Sequence, residues 1–354
     1  MTRFSPSTGV VQAVRSLVQL PPGPGPRLAI AVRAAVSIAV PFGVLTLLGH
    51  EGIGLQTAAG AFVALFAAGA AAGERAKVLP IVGAALLACA ALGTILTPWP
   101  WLLTAGLVVV AVGSAALAFA YRLGPPGPVF FVLIFGLAAN ITGVVDGERI
   151  TPPSTFLCAL AGGMVFSYLV ALTPLVRRTE RARPVRPLRE VLPGPWLGRG
   201  EQQLVLRIAL VAVLGAAISV WLLDPHRAYW TVSAGVAVVG LSAVRLHSFG
   251  RGLHRTVGTV LGAAVYLAIA PLAQVPIALV LLFPLLQFMI EIVVVRNYAL
   301  ALVFITPLVL LLTSAATGNA DLFGTAGERV LDTLIGSLIA MLTGFVHRKR
   351  NPAR

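Results

Sequence analysis

Near the C-terminal end three ionisable side chains crowd into five positions: Glu328, Arg329 and Asp332. Spacings of i+3 and i+4 put them on one face of a helix. An acid there can take up and release protons beside a moving anion, with Arg329 as its partner. The plainer alternative is a structural Arg329–Asp332 pair that holds the helix end. Two further arginines sit inside apolar runs 174 residues apart, Arg33 in LAIAVRAAV and Arg207 in LVLRIALV. At matched depth they would attract anions as a cationic ring, or each would snorkel to the lipid headgroups. Trp230 and Arg255 complete the expected anion pathway. Glu291, five residues before Arg296, reads as half of a local ion pair. Catalysis has no comparable foothold. The five histidines lack metal-ligand spacing, and no nucleotide loop or nucleophile elbow occurs. No catalytic residue, metal or cofactor is expected.

The elements that must position these residues are membrane helices. Of the 354 residues 58% are hydrophobic and only 11% charged, with a mean hydropathy of +0.94. A soluble domain carries roughly 25% charged residues, so lipid must cover this chain. Its net charge of +14 would suggest nucleic acid in a soluble protein. Here the basic residues lie in short loops between apolar runs, so nucleic acid is not an expected partner. Cys89 and Cys158 fall inside apolar segments and read as packing residues rather than a disulfide.

Twelve apolar runs approach the roughly 20 residues that a spanning helix needs. They lie near 28–48, 55–72, 78–97, 101–121, 129–145 and 156–176, then near 203–223, 229–243, 256–273, 276–295, 298–315 and 330–347. The second six echo the first at an offset of 174 or 175: Arg33 with Arg207, Thr57 with Thr231, Arg122 with Arg296, Gly162 with Gly336. The expected fold is all-α and integral to the membrane, with twelve transmembrane helices in two parallel six-helix repeats (28–176 and 203–347). Duplicated hydrophobic units of this kind are how many transporters are built, with the pathway where the copies meet.

Alternating the spans from a cytoplasmic N-terminus puts 21 of the 26 basic residues in inner loops and tails. Three fall in outer loops (Arg149, Arg227 and Arg329) and two within helices. That asymmetry predicts cytoplasmic N- and C-termini. The proline-rich N-terminal tail (1–27) lacks a cleavable signal; Val10, Val11, Val14, Leu17 and Val18 fit a short surface helix or a disordered tail. The linker at 177–202 is basic, proline-rich and cytoplasmic, anchored by Leu188, Val191, Leu192 and Trp196, and a basic tail closes the chain at 348–354. Gly69, Gly73, Gly258, Gly262 and Gly336 are expected to let helices approach closely in lipid. Pro41, Pro284 and Pro307 interrupt spans and free backbone carbonyls.

In the second copy the run Arg255-Thr-Val-Gly258-Thr259-Val-Leu-Gly262, the segment from Glu328 to Gly336, and Trp230 at the opening of a helix resemble one bacterial inner-membrane group. This is the fusaric-acid-resistance/aromatic-acid-exporter family, to which the plant aluminium-activated malate channels are distantly similar. The resemblance implies efflux or permeation of organic, often aromatic, anions. In the first copy the same motif is reduced to Glu74-Arg75-Ala-Lys77-Val-Leu-Pro80, and Cys158 stands where Asp332 would be, so the copies are not expected to contribute equally. The expected function is an inner-membrane transporter exporting organic anions between the two modules, in a multi-pass chain. Its expected partners are the lipid bilayer, a small organic anion and, in an exchanger, protons; homo-oligomers are compatible. A passive anion channel and a non-transporting membrane scaffold or assembly protein are the alternatives. A scaffold predicts a seam packed shut; a transporter predicts a polar crevice reached by Arg33 or Arg207.

Overall fold

The structure is a computed structural model that describes residues 6–22, 25, 27–145, 147–241, 245–318 and 321–345. Arg3 and the expected basic tail at 348–354 lie outside the described residues. Helix α1 (Pro6–Val18) precedes α2 (Leu28–Leu47), α3 (Glu51–Ala59, continued as a 3-10 turn over Gly60–Leu65), α4 (Ala72–Leu96), α5 (Pro100–Ala120), α6 (Val129–Ile141) and α7 (Pro153–Leu172). Two short helices, α8 (Arg178–Arg181) and α9 (Leu188–Val191), occupy the linker. Then follow α10 (Arg199–Leu222), α11 (Ala228–Val239), α12 (Arg245–Ile269), α13 (Pro276–Val293), α14 (Tyr298–Thr317) and α15 (Leu322–Thr343). A hairpin of β1 (Val144–Val145) and β2 (Glu148–Arg149) is the only sheet among the described residues. The fold is all-helical.

Every apolar run expected from the sequence is a helix, but their reach differs. Among the described residues eight helices are long and apolar enough to cross a membrane: α2, α4, α5, α7, α10, α12, α13 and α14. The chain is a multi-pass membrane protein. Helices α6 and α11, of 13 and 12 residues, rise about 18–20 Å, less than the roughly 30 Å of hydrocarbon. Every residue of α11 is buried, as expected of a helix apolar all round and enclosed by others. Helix α15 has the length, but Glu328, Arg329 and Asp332 interrupt it.

Two boundaries move the charged residues. Helix α12 begins at Arg245, well before the apolar run near 256, so Arg255 is a helix residue rather than part of a loop. Helix α15 begins at Leu322, because the Asp321 carboxylate accepts a bond from the Gly324 amide at 2.8 Å and caps it. Arg329, expected in an outer loop, is therefore on a helix and only 3% exposed.

The halves do not stand side by side as separate bundles. Helix α13 packs on α2, and α5 packs on α10, so each half lends one helix to the other. Within the halves α3 lies against α2 and α7, and α11 against α10 and α15. Both inner crossings are made by glycine. A Cβ on Gly163 of α7 would run into the Thr57 carbonyl of α3; one on Gly336 of α15 would run into the Thr231 carbonyl of α11. The α7 residue at this crossing is Gly163, one place beyond the expected Gly162, which has open space around it. Gly258 and Gly262 of α12 meet the Ala299 and Leu302 carbonyls of α14. Gly69 is not on a helix. It lies in the turn before α4 with nothing near it, and Gly73 meets the Val185 side chain of the linker rather than another membrane helix.

Large apolar side chains such as Val109, Leu117, Val213, Leu214, Leu281 and Leu285 remain exposed along the long helices, as lipid contact requires. At one end Trp99, Trp101, Trp221 and Phe323 are exposed together. At the other end α1 is tied to the second half. The Asn297 amide donates to the carbonyls of Ser16 (3.4 Å), Leu17 (2.7 Å) and Gln19 (3.1 Å), while its oxygen caps α14 at Leu300. Ser16 Oγ lies 2.8 Å from His254 Nε2, whose Nδ1 accepts from the Ala299 amide. Glu291 pairs with Arg27 at 2.6 Å and not with Arg296, which is exposed. The linker's Val191, Leu192 and Leu197 pack on the core, whereas Trp196 stays 63% exposed.

Candidate functional site

Arg33 and Arg207 are not brought together. Arg207 is 1% exposed and stays within the second half, donating to Ser248 Oγ of α12 (2.9 Å) and to the Ala340 carbonyl (3.2 Å) and Thr343 Oγ1 (3.3 Å) of α15. Arg33 reaches the Ala68 carbonyl in the turn before α4 at 3.5 Å, beside Arg75 at 3.4 Å. A ring of the two requires a shared space, and each is occupied in its own half. Arg207 ties α12 to the end of α15. For Arg33 the physical reason is instead a broken helix: where the α3 segment stops short a carbonyl is left over, and non-helical backbone at membrane depth needs protein partners. Arg251 does the same service at the end of α11, donating twice to the Ala237 carbonyl at 2.9 and 3.1 Å.

The charged residues that do converge lie where α11, α12, α14 and α15 meet. Asp332 Oδ1 accepts from Thr231 Oγ1 of α11 at 2.9 Å, and Thr231 in turn accepts from Ser219 of α10. Asp332 Oδ2 is 3.8 Å from Arg227, whose guanidinium also meets Glu328 at 2.8 Å and Asp224 at 3.4 Å. The partner of Asp332 is thus Arg227, a residue read from sequence as an ordinary outer-loop charge. Its closeness to Asp224 within a turn leading into α11 was the available signal.

Arg329, freed from Asp332, lies over the Trp230 ring at 5.0 Å from the centroid. Its Nε and Nη1 have no hydrogen-bond partner among the described residues. Arg255, 5% exposed, donates to Tyr298 Oη at 2.6 Å and leaves Nε without a partner. Arg255, Tyr298, Tyr229 and Asp332 all lie within Coulombic reach of Arg329. Tyr229 Oη and Trp230 Nε1 are buried, lie against each other and have no further hydrogen-bond partner among the described residues. Neither Arg255 nor Arg329 has a carboxylate within salt-bridge distance among the described residues. Burying a cation without a counter-charge in contact is expensive, and unfilled N–H donors beside aromatic faces suit an oxyanion carrying an apolar body.

The seam between halves runs beside this cluster. Tyr229 presses its ring on Gly136 of α6, where no Cβ fits. A cavity of about 20 Å³ remains next to it, bounded by Leu103, Thr104 and Phe135 on one side and by Pro225, His226 and Tyr229 on the other. That volume holds about one water. On the lipid-facing side a groove of about 340 Å³ between α12 and α15 is apolar, lined by Phe249, Leu253, Leu334 and Met341 among others.

Residues 208–343, which run from α10 to the end of α15, match the family described as fusaric acid resistance protein-like. The family resemblance holds. A relative, the uncharacterized membrane protein YvaC of Bacillus subtilis strain 168, is 31% identical over 116 residues, covering 33% of this chain and 18% of that protein. The matched stretch thus spans under a fifth of the relative's length. No solved structure matches the chain. The fusaric acid resistance-like stretch contains the entire cluster from Arg227 to Asp332, whereas Arg33, Arg75 and the seam residues of α5 and α6 lie outside it.

Proposed function

We propose that the chain is a bacterial inner-membrane carrier exporting organic anions, with aromatic carboxylates as the leading class. The anion binds at Arg255, Arg329 and Trp230 in the second half, and Asp332 carries the coupling proton beside it. The observation that supports this reading is the pair of buried arginines with unfilled guanidinium N–H groups and no carboxylate within salt-bridge distance among the described residues, beside the Trp230 ring. The carboxylate would lie between the guanidiniums and the ring on Trp230. In this reading Arg33 supports the turn after α3 and Arg207 ties α12 to α15, instead of the two lining one pathway.

The proposed architecture is twelve membrane-embedded helices in two parallel repeats, with the four short or charged helices completing the count. The repeated packing supports it: α3 on α7 answers α11 on α15, and α2 on α13 answers α10 on α5. Both termini would be cytoplasmic. Of the arginines counted as outer, Arg149 is engaged by the Thr94 and Thr142 carbonyls and Arg227 by acids, whereas Arg329 is a buried helix residue.

With a seam holding a cavity for one water, the conformation would be the occluded state of a carrier rather than a conducting channel. The same tight seam also favours a second reading, a membrane scaffold that moves nothing. Flux separates them. Proteoliposomes holding the full chain are loaded with labelled benzoate, 4-hydroxybenzoate or malate, with and without a pH gradient. Protein-dependent flux of at least one anion is expected, and leakage equal to protein-free vesicles across the panel would leave the scaffold.

A further inference from the structure

The first half carries a second concentration of unmet positive charge, outside the stretch that matches the family and independent of the carrier reading. Arg75, in the first turn of α4, is 4% exposed, and its Nε has no partner among the described residues. Its Nη1 reaches the Ala68 carbonyl at 3.4 Å, and Arg33 Nη2 reaches the same oxygen at 3.5 Å. In the second half one arginine satisfies one left-over carbonyl with bonds of 2.9 and 3.1 Å. Here two guanidiniums share one oxygen at the limit of bonding distance. The adjacent acid, Glu74, is already taken by Arg186 of the linker at 2.6 Å. The acid facing both arginines is Glu180 of α8, itself held by Arg183 at 3.2 Å. Two guanidiniums that repel each other over a single weak acceptor are stable when a multivalent oxyanion fills the gap.

The surroundings indicate which oxyanion. The pair lies at the end of the bundle where the linker crosses α4: Lys77 donates to the Arg186 carbonyl at 2.8 Å, and Glu74 meets Arg186. Val32, next to Arg33 on α2, is 46% exposed in the row of apolar side chains that continues through Val40 and Val44. Arg33 is thus partly buried beside this apolar row, while Arg75 is sealed. The turn between them, Ala67-Ala68-Gly69-Ala70-Ala71, carries no bulk to fill the approach. A tetrahedral phosphate, offering several oxygens to two forks, fits this better than a single planar carboxylate.

We infer that Arg33 and Arg75 form a phosphate-binding site at the linker end of the first half, with Glu180 as its internal competitor. The phosphate comes from an anionic lipid headgroup or from solution, and the chemistry of the site is the same for both.

The test uses the full chain in a neutral detergent. Binding is followed by microscale thermophoresis, titrating with inorganic phosphate or with mixed micelles of phosphatidylglycerol or phosphatidylcholine. Wild type is expected to bind at least one phosphate probe saturably. Preference for phosphatidylglycerol over both others identifies the headgroup; preference for inorganic phosphate identifies the soluble ion. Arg33→Gln and Arg75→Gln are expected to bind roughly tenfold more weakly, and Glu180→Gln several-fold more tightly. Arg33 is only partly buried, so its variant serves where Arg75→Gln fails to fold. The proposal is overturned if wild type shows no saturable binding of any probe, or if Arg33→Gln and Glu180→Gln both bind as wild type does.

Discussion

The Arg329 guanidinium lies over the Trp230 ring, 5.0 Å from its centroid, while Asp332, three residues further along the same helix, turns to Thr231 and Arg227. Sequence spacing offered Arg329 and Asp332 as a neutral pair. Their separation leaves a cation with unfilled donors in one direction and an acid with its own cation in the other, which is a division of labour an anion carrier can use.

Arg329→Gln and Trp230→Ala are each expected to lower anion flux into proteoliposomes by roughly tenfold or more, since a desolvated charge–carboxylate contact is lost. Arg329→Lys keeps the charge but not the planar fork, and should fall between them and wild type. Wild-type flux in Arg329→Gln would remove the site from the mechanism.

Asp332→Asn preserves an acceptor for the Thr231 hydroxyl, so the fold should persist. Acceleration of flux by a pH gradient is expected to vanish while exchange of labelled for unlabelled anion continues. Full gradient-driven flux in this variant would exclude Asp332 as the proton carrier. Arg227→Ala, by contrast, strips Glu328 and Asp332 of their cation. It should lower thermal stability in detergent by about 1–3 kcal/mol.

Gly163→Leu and Gly336→Leu force bulk into backbone contacts at the two inner crossings, and each is expected to cost about 3 kcal/mol or more. The checking measurement is the monodisperse fraction on size-exclusion chromatography after heating. Gly162→Ala and Gly69→Ala, placed where nothing lies nearby, should behave as wild type. Loss of folded protein in those two variants and not in the first pair would reverse the packing assignment.

Asn297→Ala removes three bonds to the end of α1 and the cap of α14. Trypsin cleavage after Arg15 is expected to accelerate several-fold, with the membrane helices left intact by mass spectrometry. Unchanged cleavage would mean that packing against α12 alone seats α1.

Much of the architecture was legible because burial in lipid writes itself into composition: each apolar run became a helix, most within a few residues of its expected ends. The errors fall where polar chemistry overrides hydropathy. Arg255 and Arg329 looked like loop residues because charge normally ends a span, and only the Asp321 cap marks the true start of α15. Glu291 looked local, yet its partner Arg27 lies 264 residues away in sequence. Arg33 and Arg207 matched by offset but bond different elements, the turn before α4 in one half and α12 with α15 in the other, which repeat spacing does not record. Tyr298 carried no motif and became visible only through what it touches, and the one sequence signal for Arg227 was the nearby Asp224.

The binding of α1 by Asn297 and of Arg27 by Glu291 has a consequence for biosynthesis. The docking surface for the first helix emerges from the ribosome only after most of the chain has been made, and α2 waits equally long for α13. Helix α2 can pack on α3 and α7 as soon as they are made, but α1 and Arg27 must wait for partners that are synthesised much later.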